Sequence, residues 1–253
     1  MLPGLESLHL GFQHPRSQAH RANRRPPPLT RVVFPSLTDL YFHGDIKYLE
    51  DILSQIETPM LNQSNFSFFN DQLVFDTPLL GHFIHRTKTF KTSHAAHVEC
   101  LDSVINFKLL GREEMAGDDR QVLWLGISCK PLDWQLSALA QVLNSSLSSL
   151  STLENLQIAV SRKDDWQGEI EAIQWRELLH PFTTVKKVTL ESEDLVRLVA
   201  PALQELTGER ATEVLPAVQN LVLYTHSGRP VKEAIEQFIA ARQLCGHPVT
   251  VHC

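Results

Sequence analysis

The sequence is poor in the features that announce most chemistry. Its four cysteines, Cys100, Cys129, Cys245 and Cys253, form no CxxC pair and show no framework spacing, which excludes a disulfide-stapled scaffold and fits a reducing compartment. Basic charge is not in surplus: the net charge is -6, so no nucleic-acid partner is expected, because phosphate binding needs a basic face. No run reaches the length of about 18 apolar residues that spans a bilayer, so no membrane partner is expected either. The opening Met1-Leu-Pro-Gly-Leu-Glu6 lacks the basic n-region and apolar core of a signal peptide, and the expected location is cytoplasmic or nuclear. Nucleophile elbow, P-loop, dinucleotide fingerprint and HExxH are all missing. Gly111 to Gly117 lacks the lysine and the helix of a phosphate cradle, and Glu113-Glu114 and Asp118-Asp119 sit in a polar turn region without the burial that tunes catalytic carboxylates. The expectation is a protein that is not an enzyme and uses no cofactor.

What the chain does have is apolar periodicity, in a composition that is 43% hydrophobic and able to bury a sizeable core. Leu150-Ser-Thr-Leu153-Glu-Asn-Leu156-Gln-Ile158 places leucines at a three-residue pitch that tightens to alternation. Alternation is what a half-buried strand requires, because successive side chains point to opposite faces. Phe182 to Leu190 and Leu215 to Leu223 repeat the pattern, and Leu156, Val188 and Leu221 are 32 and 33 positions apart. Leu2 to Leu10 and Phe34 to Phe42 repeat it again, with Leu8 and Leu40 separated by 32. A fixed period of this kind predicts an α/β leucine-rich-repeat-like solenoid, a horseshoe arc with a parallel concave sheet and outer helices.

Between the repeats the chain is uneven. The segment 13–31 gathers Arg16, Arg21, Arg24, Arg25 and Arg31 around Pro26-Pro-Pro28, a basic proline-rich loop barred from helix and sheet. It reads as an inter-repeat loop first and as a docking segment for an acidic or aromatic-grooved partner second. Asp45 is a plausible N-cap for a helix whose Ile46, Leu49, Ile52, Leu53 and Ile56 share one face, ending at Thr58-Pro59. A helix over 76–84 and a short strand from Phe90 to Ala96 follow. Ser103 to Leu109 and Gln121 to Ser128 both read as strands around the polar turn, and predict an irregular strand pair in the middle of the array. Helices over 132–143, 169–179, 193–206 and 231–244 complete the units, with Pro201 expected to kink or split the third of these. Pro248 to Val251 alternates and reads as a last strand. The whole chain, 1–253, is taken as one repeat domain, with its first repeat uncapped and its array N-terminally incomplete.

If the leucine-type residues face the helices, their neighbours face the concavity. The candidate binding residues on that basis are Tyr41, His43, Gln157, Lys187, Thr189, Glu191 and Tyr224, with His9 and Val222 beside them. Aromatic, charged and amide groups in one set suit recognition of a protein surface. Solvated sheet positions would look the same in sequence. His82, His85, His94, His97 and Cys100 lack the tight local pairing of zinc ligands, and the tail Cys245, His247, His252 and Cys253 reads as a frayed C-terminus of ordinary residues, so no metal is expected at either place. Trp124, Trp134, Trp166 and Trp175 are too dispersed for an aromatic cage and are expected in the core or at its margin.

Several segments carry a family resemblance. Pro26-Pro-Pro-Leu-Thr-Arg-Val-Val-Phe-Pro-Ser-Leu37, Asp45-Ile-Lys-Tyr-Leu-Glu-Asp51, Gln72-Leu-Val-Phe-Asp-Thr-Pro78, Leu132-Asp-Trp-Gln-Leu-Ser137, Leu150 to Glu154 and Glu233 to Leu244 resemble the leucine-rich-repeat-like C-terminal portion of F-box-type proteins of mushroom-forming (basidiomycete) fungi. The resemblance spans nearly the whole chain. It implies the substrate receptor of a ubiquitin ligase, in which an F-box docks the cullin-RING adaptor and the repeats hold an unknown target protein. The repeats begin at residue 2, leaving no room for an F-box, so adaptor docking is expected only if one lies upstream. The competing expectations are a stand-alone scaffold or truncated relic without a ubiquitin link, and, less favoured, a ligand-binding or hydrolytic domain.

Overall fold

The computed structural model of the protein describes residues 4–12, 31–69, 77–112, 119–128, 132–146, 152–160, 172–206, 210, 212–224 and 230–252. Leu150 and most of the basic proline-rich segment lie outside them. Ten strands form one mixed, mostly parallel sheet. In chain order they are β1 (Ser7–Gly11), β3 (Asp39–Asp45), β5 (Gln63–Phe69), β6 (Ser93–Cys100), β7 (Val104–Arg112), β8 (Asp119–Ser128), β9 (Asn155–Val160), β10 (Lys187–Leu190), β11 (Asn220–Leu223) and β12 (Thr250–His252). Two short strands, β2 (Val32–Val33) and β4 (Ile56–Glu57), pair in parallel as a separate ribbon. The helices are α1 (Ile46–Gln55), α2 (Pro78–Arg86), α3 (Lys88–Lys91), α4 (Leu132–Ser146), α5 (Ala172–Leu179), α6 (Glu193–Gln204) and α7 (Pro230–Leu244).

The repeat period becomes sheet register. Leu8 pairs with Leu40, Leu156 with Val188 and Val188 with Leu221, the residues that the 32- and 33-residue spacing equates. The turns before the strands stack in the same way. Thr38 N–H donates to Glu6 O, Lys186 N–H to Glu154 O, Gln219 N–H to Lys186 O and Thr250 N–H to Gln219 O, each at 2.8 Å. The three-residue pitch supplies the wedge under each turn: Leu153, Val185 and Val218 are all buried.

The middle, where the sequence predicts an irregular strand pair, interrupts the parallel sheet. The order is β1-β3-β5-β8-β7-β6-β9-β10-β11-β12, and β7 runs antiparallel to both β6 and β8. The expected strand pair is therefore part of a three-stranded meander. Leaving β5, the chain passes over two strand positions to β6 and returns through β7, so β8 lands parallel beside β5 and β6 parallel beside β9. Short hairpin connections allow antiparallel pairing where a helical crossover would force parallel. The strands also extend into the expected polar turn: Gly111 and Arg112 belong to β7, Asp119 and Arg120 to β8.

Helices α1, α2, α4, α5, α6 and α7 touch one another in that order, one layer over the sheet face that carries the buried leucines, phenylalanines and valines. Asp45 caps α1 by accepting Lys47 N–H at 2.8 Å. Glu50 is buried on the same helix and accepts Leu79 N–H and Leu80 N–H at 2.9 and 2.7 Å, serving the open N-terminal amides of α2 from outside. Pro78 begins α2 without wasting a donor. Phe90 lies in α3, and β6 starts only at Ser93, so the strand expected from Phe90 is displaced. A short apolar run does not distinguish helix from strand by periodicity, and Phe90 is drawn inward against Phe83, with ring centroids 6.1 Å apart. Pro201 does not split α6: it sits in the last turn, and the helix continues to Gln204. Of the tryptophans, Trp175 is fully buried but Trp134 is 46% exposed, which corrects its expected place at the core.

Candidate functional site

The sheet face opposite the helices is the candidate site. Because strand registers connect across all ten strands, one side chain per strand falls into a continuous row. It reads His9, Tyr41, Asn65, Trp124, Lys108, His97, Gln157, Thr189, Val222 and His252. Each alternates with residues turned toward the helices, buried in the inner strands and partly buried in β1 and β12, as the pleat demands. At about 4.8 Å per strand the row is on the order of 40 Å long. With the flanking rows it approaches the footprint of about 800 Å² per partner of an ordinary protein interface.

At the β1 end the row is aromatic. His9 stacks on Tyr41 with ring centroids 4.1 Å apart and planes 5° from parallel, and His43 meets the edge of Phe69 at 5.8 Å. At the other end it is amide and charge. Gln157 Nε2–H donates to the Glu191 carboxylate, Lys187 is exposed beside Thr189, and Tyr224 is 61% exposed just beyond β11. His252 lies within 3.4 Å of Asn220 Oδ1. All seven sequence-selected residues thus occupy this face or its C-terminal rim, spread along it rather than gathered into one pocket.

The centre was not selected from sequence. There β6, β7 and β8 bring His97, Glu99, Asn106, Lys108 and Trp124 together. Lys108 Nζ pairs with Glu99 Oε2 at 3.2 Å, and Asn106 Nδ2–H donates to the same oxygen at 3.4 Å. Burial raises the Glu99 carboxyl, but the Lys108 hydrogen bond and charge and the Asn106 amide outweigh it and hold the group below its ordinary value. The outer edge of the Trp124 indole lies over Gly126: a Cβ there would stand 2.3 Å from the ring. Gly126→Ala is therefore expected to eject the indole while the strand stays paired. Tryptophan emission should shift to the red, with unfolding free energy changed by less than about 1 kcal/mol. A fully folded variant with unshifted emission would refute the packing.

His97 is half-buried in this cluster. Burial, and then the Lys108 ammonium, push its imidazole below the ordinary 6.5, against a smaller opposite pull from Glu191 and Glu99. The unfolded chain then takes up the proton first as pH falls. The His97 contribution to stability is complete above about pH 6.5 and is lost as pH drops below it. Urea midpoints measured between about pH 8 and pH 5 should fall in that window, and the slope should flatten in His97→Gln. An identical slope in the variant would place the titration elsewhere.

The remaining sequence candidates do not converge. His82 and His85 are exposed on α2, His94 and His97 face outward from β6, and Cys100 points into the core, where burial pushes its thiol up to about 12. Among the described residues no group of three or more His, Cys, Asp or Glu side chains is placed to hold a metal ion, and Cys253 lies outside them. Among the same residues no helix is long and apolar enough to cross a membrane. No protein-family model, curated protein or solved structure matches the chain.

Proposed function

We propose that this protein recognises another protein with the open face of its sheet, as a leucine-rich-repeat-like solenoid whose helices form the outer layer. The observation that carries the reading is the unbroken ten-residue row of unlike side chains, from His9 to His252, on the face opposite the helix layer. Aromatic groups at one end, an ion pair in the middle and amides at the other offer a partner varied contacts with no covalent chemistry. Most such contacts exclude water and a few carry energy. Stacking of turns at a 31- to 33-residue spacing supports the solenoid reading.

The resemblance to fungal F-box-type proteins adds the ligase reading, in which the face holds a target for ubiquitin transfer. Native protein purified from its source should then carry a cullin-RING adaptor, and its full transcript should encode an F-box. Purification without the adaptor would favour the stand-alone scaffold.

The face itself is tested by substitution. Tyr41→Ala and Tyr224→Ala should each weaken capture of the partner by about tenfold, the effect of one interface anchor. Stability should be nearly unchanged for Tyr224, whose side chain is 61% exposed. Unaltered capture in both variants, with the fold retained, would overturn the reading.

A further inference from the structure

We propose that the centre of the open face is a subsite for an arginine side chain of the partner, its guanidinium laid against the Trp124 indole and hydrogen-bonded by Glu99 and Asn106. The inference rests on the docking role proposed above and adds the chemistry of one contact. The site holds an unmet hydrogen bond. Asn106 is 6% exposed, and its alternation with Ile105 and Phe107 turns it to the open face, where its Nδ2–H reaches Glu99. Its Oδ1 is buried without a donor, and so is the Nε2 of neighbouring His97. An unpaired buried polar atom has lost its water without a replacement, and an occupant that brings N–H groups makes good that loss.

The neighbours narrow the occupant. Both described contacts of the Glu99 carboxylate, from Lys108 and Asn106, fall on Oε2, so Oε1 remains for an incoming donor. Asn106 faces Glu99 on one side of the ladder and Gly126 on the other, and the indole of Trp124 lies over Gly126. Two acceptors and an aromatic plane on adjacent strands match a planar, multidentate cation that stacks. A carboxylate would meet the lone pairs of Glu99 and Asn106 head-on. A lysine would offer one point charge to a site already holding Lys108. The neutral imidazole of His97, depressed by burial and by Lys108, adds no repulsion near neutral pH. Since Asn106 Oδ1 and His97 Nε2 are shut from water, entry requires the indole or the Lys108 ammonium to swing aside, a side-chain change of the kind common on binding.

The test uses the full chain, labelled with ¹⁵N, and Nα-acetyl-arginine methylamide as probe. The indole N–H resonance of Trp124 is identified by its loss in Trp124→Phe. The probe should shift it saturably with an affinity on the order of millimolar. The isosteric, uncharged citrulline analogue should bind at least about tenfold more weakly. Glu99→Gln and Asn106→Leu, each checked for a native near-ultraviolet spectrum, should weaken the probe by about fivefold or more. Equal response to citrulline, or an arginine response undiminished in Glu99→Gln, would overturn the subsite. Partner capture lost in Tyr41→Ala and Tyr224→Ala but unchanged in Glu99→Gln would also overturn it, while leaving the docking face standing.

Discussion

Arg242→Leu is expected to lower the unfolding free energy by about 3–5 kcal/mol, the sum of two orphaned carbonyls and a lost packing contact. Arg242 is fully buried near the end of α7. Its Nη2 donates to Pro216 O and Val218 O, both at 3.0 Å, and its guanidinium lies 6.0 Å from the centre of the Phe238 ring. Those carbonyls belong to the turn that leads into β11, where Leu215 holds a positive φ of 51° and helical or strand pairing is not on offer. Burial pushes the guanidinium pKa down, yet arginine stays charged in proteins, so the fork keeps its donors at any accessible pH. Leucine fills part of the volume and supplies none. Lysine, without the planar fork, should recover part of the loss. The urea midpoint measures it. A cost under about 1 kcal/mol would mean that water reaches the turn and that the arginine is not its lock.

Phe107→Ala should cost a similar amount, about 3–5 kcal/mol. Phe107 is the inward residue at the middle of β7, the one described strand of the large sheet that runs against its neighbours. It is wholly buried, as are its ladder neighbours Val98 and Leu125, and its ring lies 6.5 Å from Phe182. With both neighbours in place, the cavity has little room to collapse. Leu8→Ala makes the contrast, because Leu8 lies on the edge strand and is only partly buried. It should cost about 1–2 kcal/mol, the lower end of what burial of one leucine contributes. If the two variants unfold at the same denaturant concentration, the meander is not the centre of the core.

The outer thirds of the fold were legible because their information is local and repeated. Leu8 and Leu40, or Leu156, Val188 and Leu221, can be aligned by counting, and the count is the register. Asp45 before an amphipathic run marks a helix start in the same local way. The centre was not legible for a matching reason. Alternation in Val104 to Arg112 and Asp119 to Ser128 announces strands but not their neighbours. Nothing in a single sequence says that β8 lies beside β5 and β6 beside β9. Once that order is known, Trp124 and His97, far apart in sequence, become members of one row with Lys108 between them. Asn106 gave no signal at all, since an amide on a strand reads as solvated until its burial is seen.

Site-specific photo-crosslinking tests the central claim most directly. A photoreactive residue is placed at Thr189 on the open face, and in a second protein at Gln237, exposed on α7 in the helix layer. Both are irradiated in an extract of the cells that make the protein. The account predicts a discrete protein adduct from the Thr189 position, lost when Tyr224→Ala is added, and none from Gln237. An adduct from Gln237 alone would contradict it, and would move the docking surface to the helices.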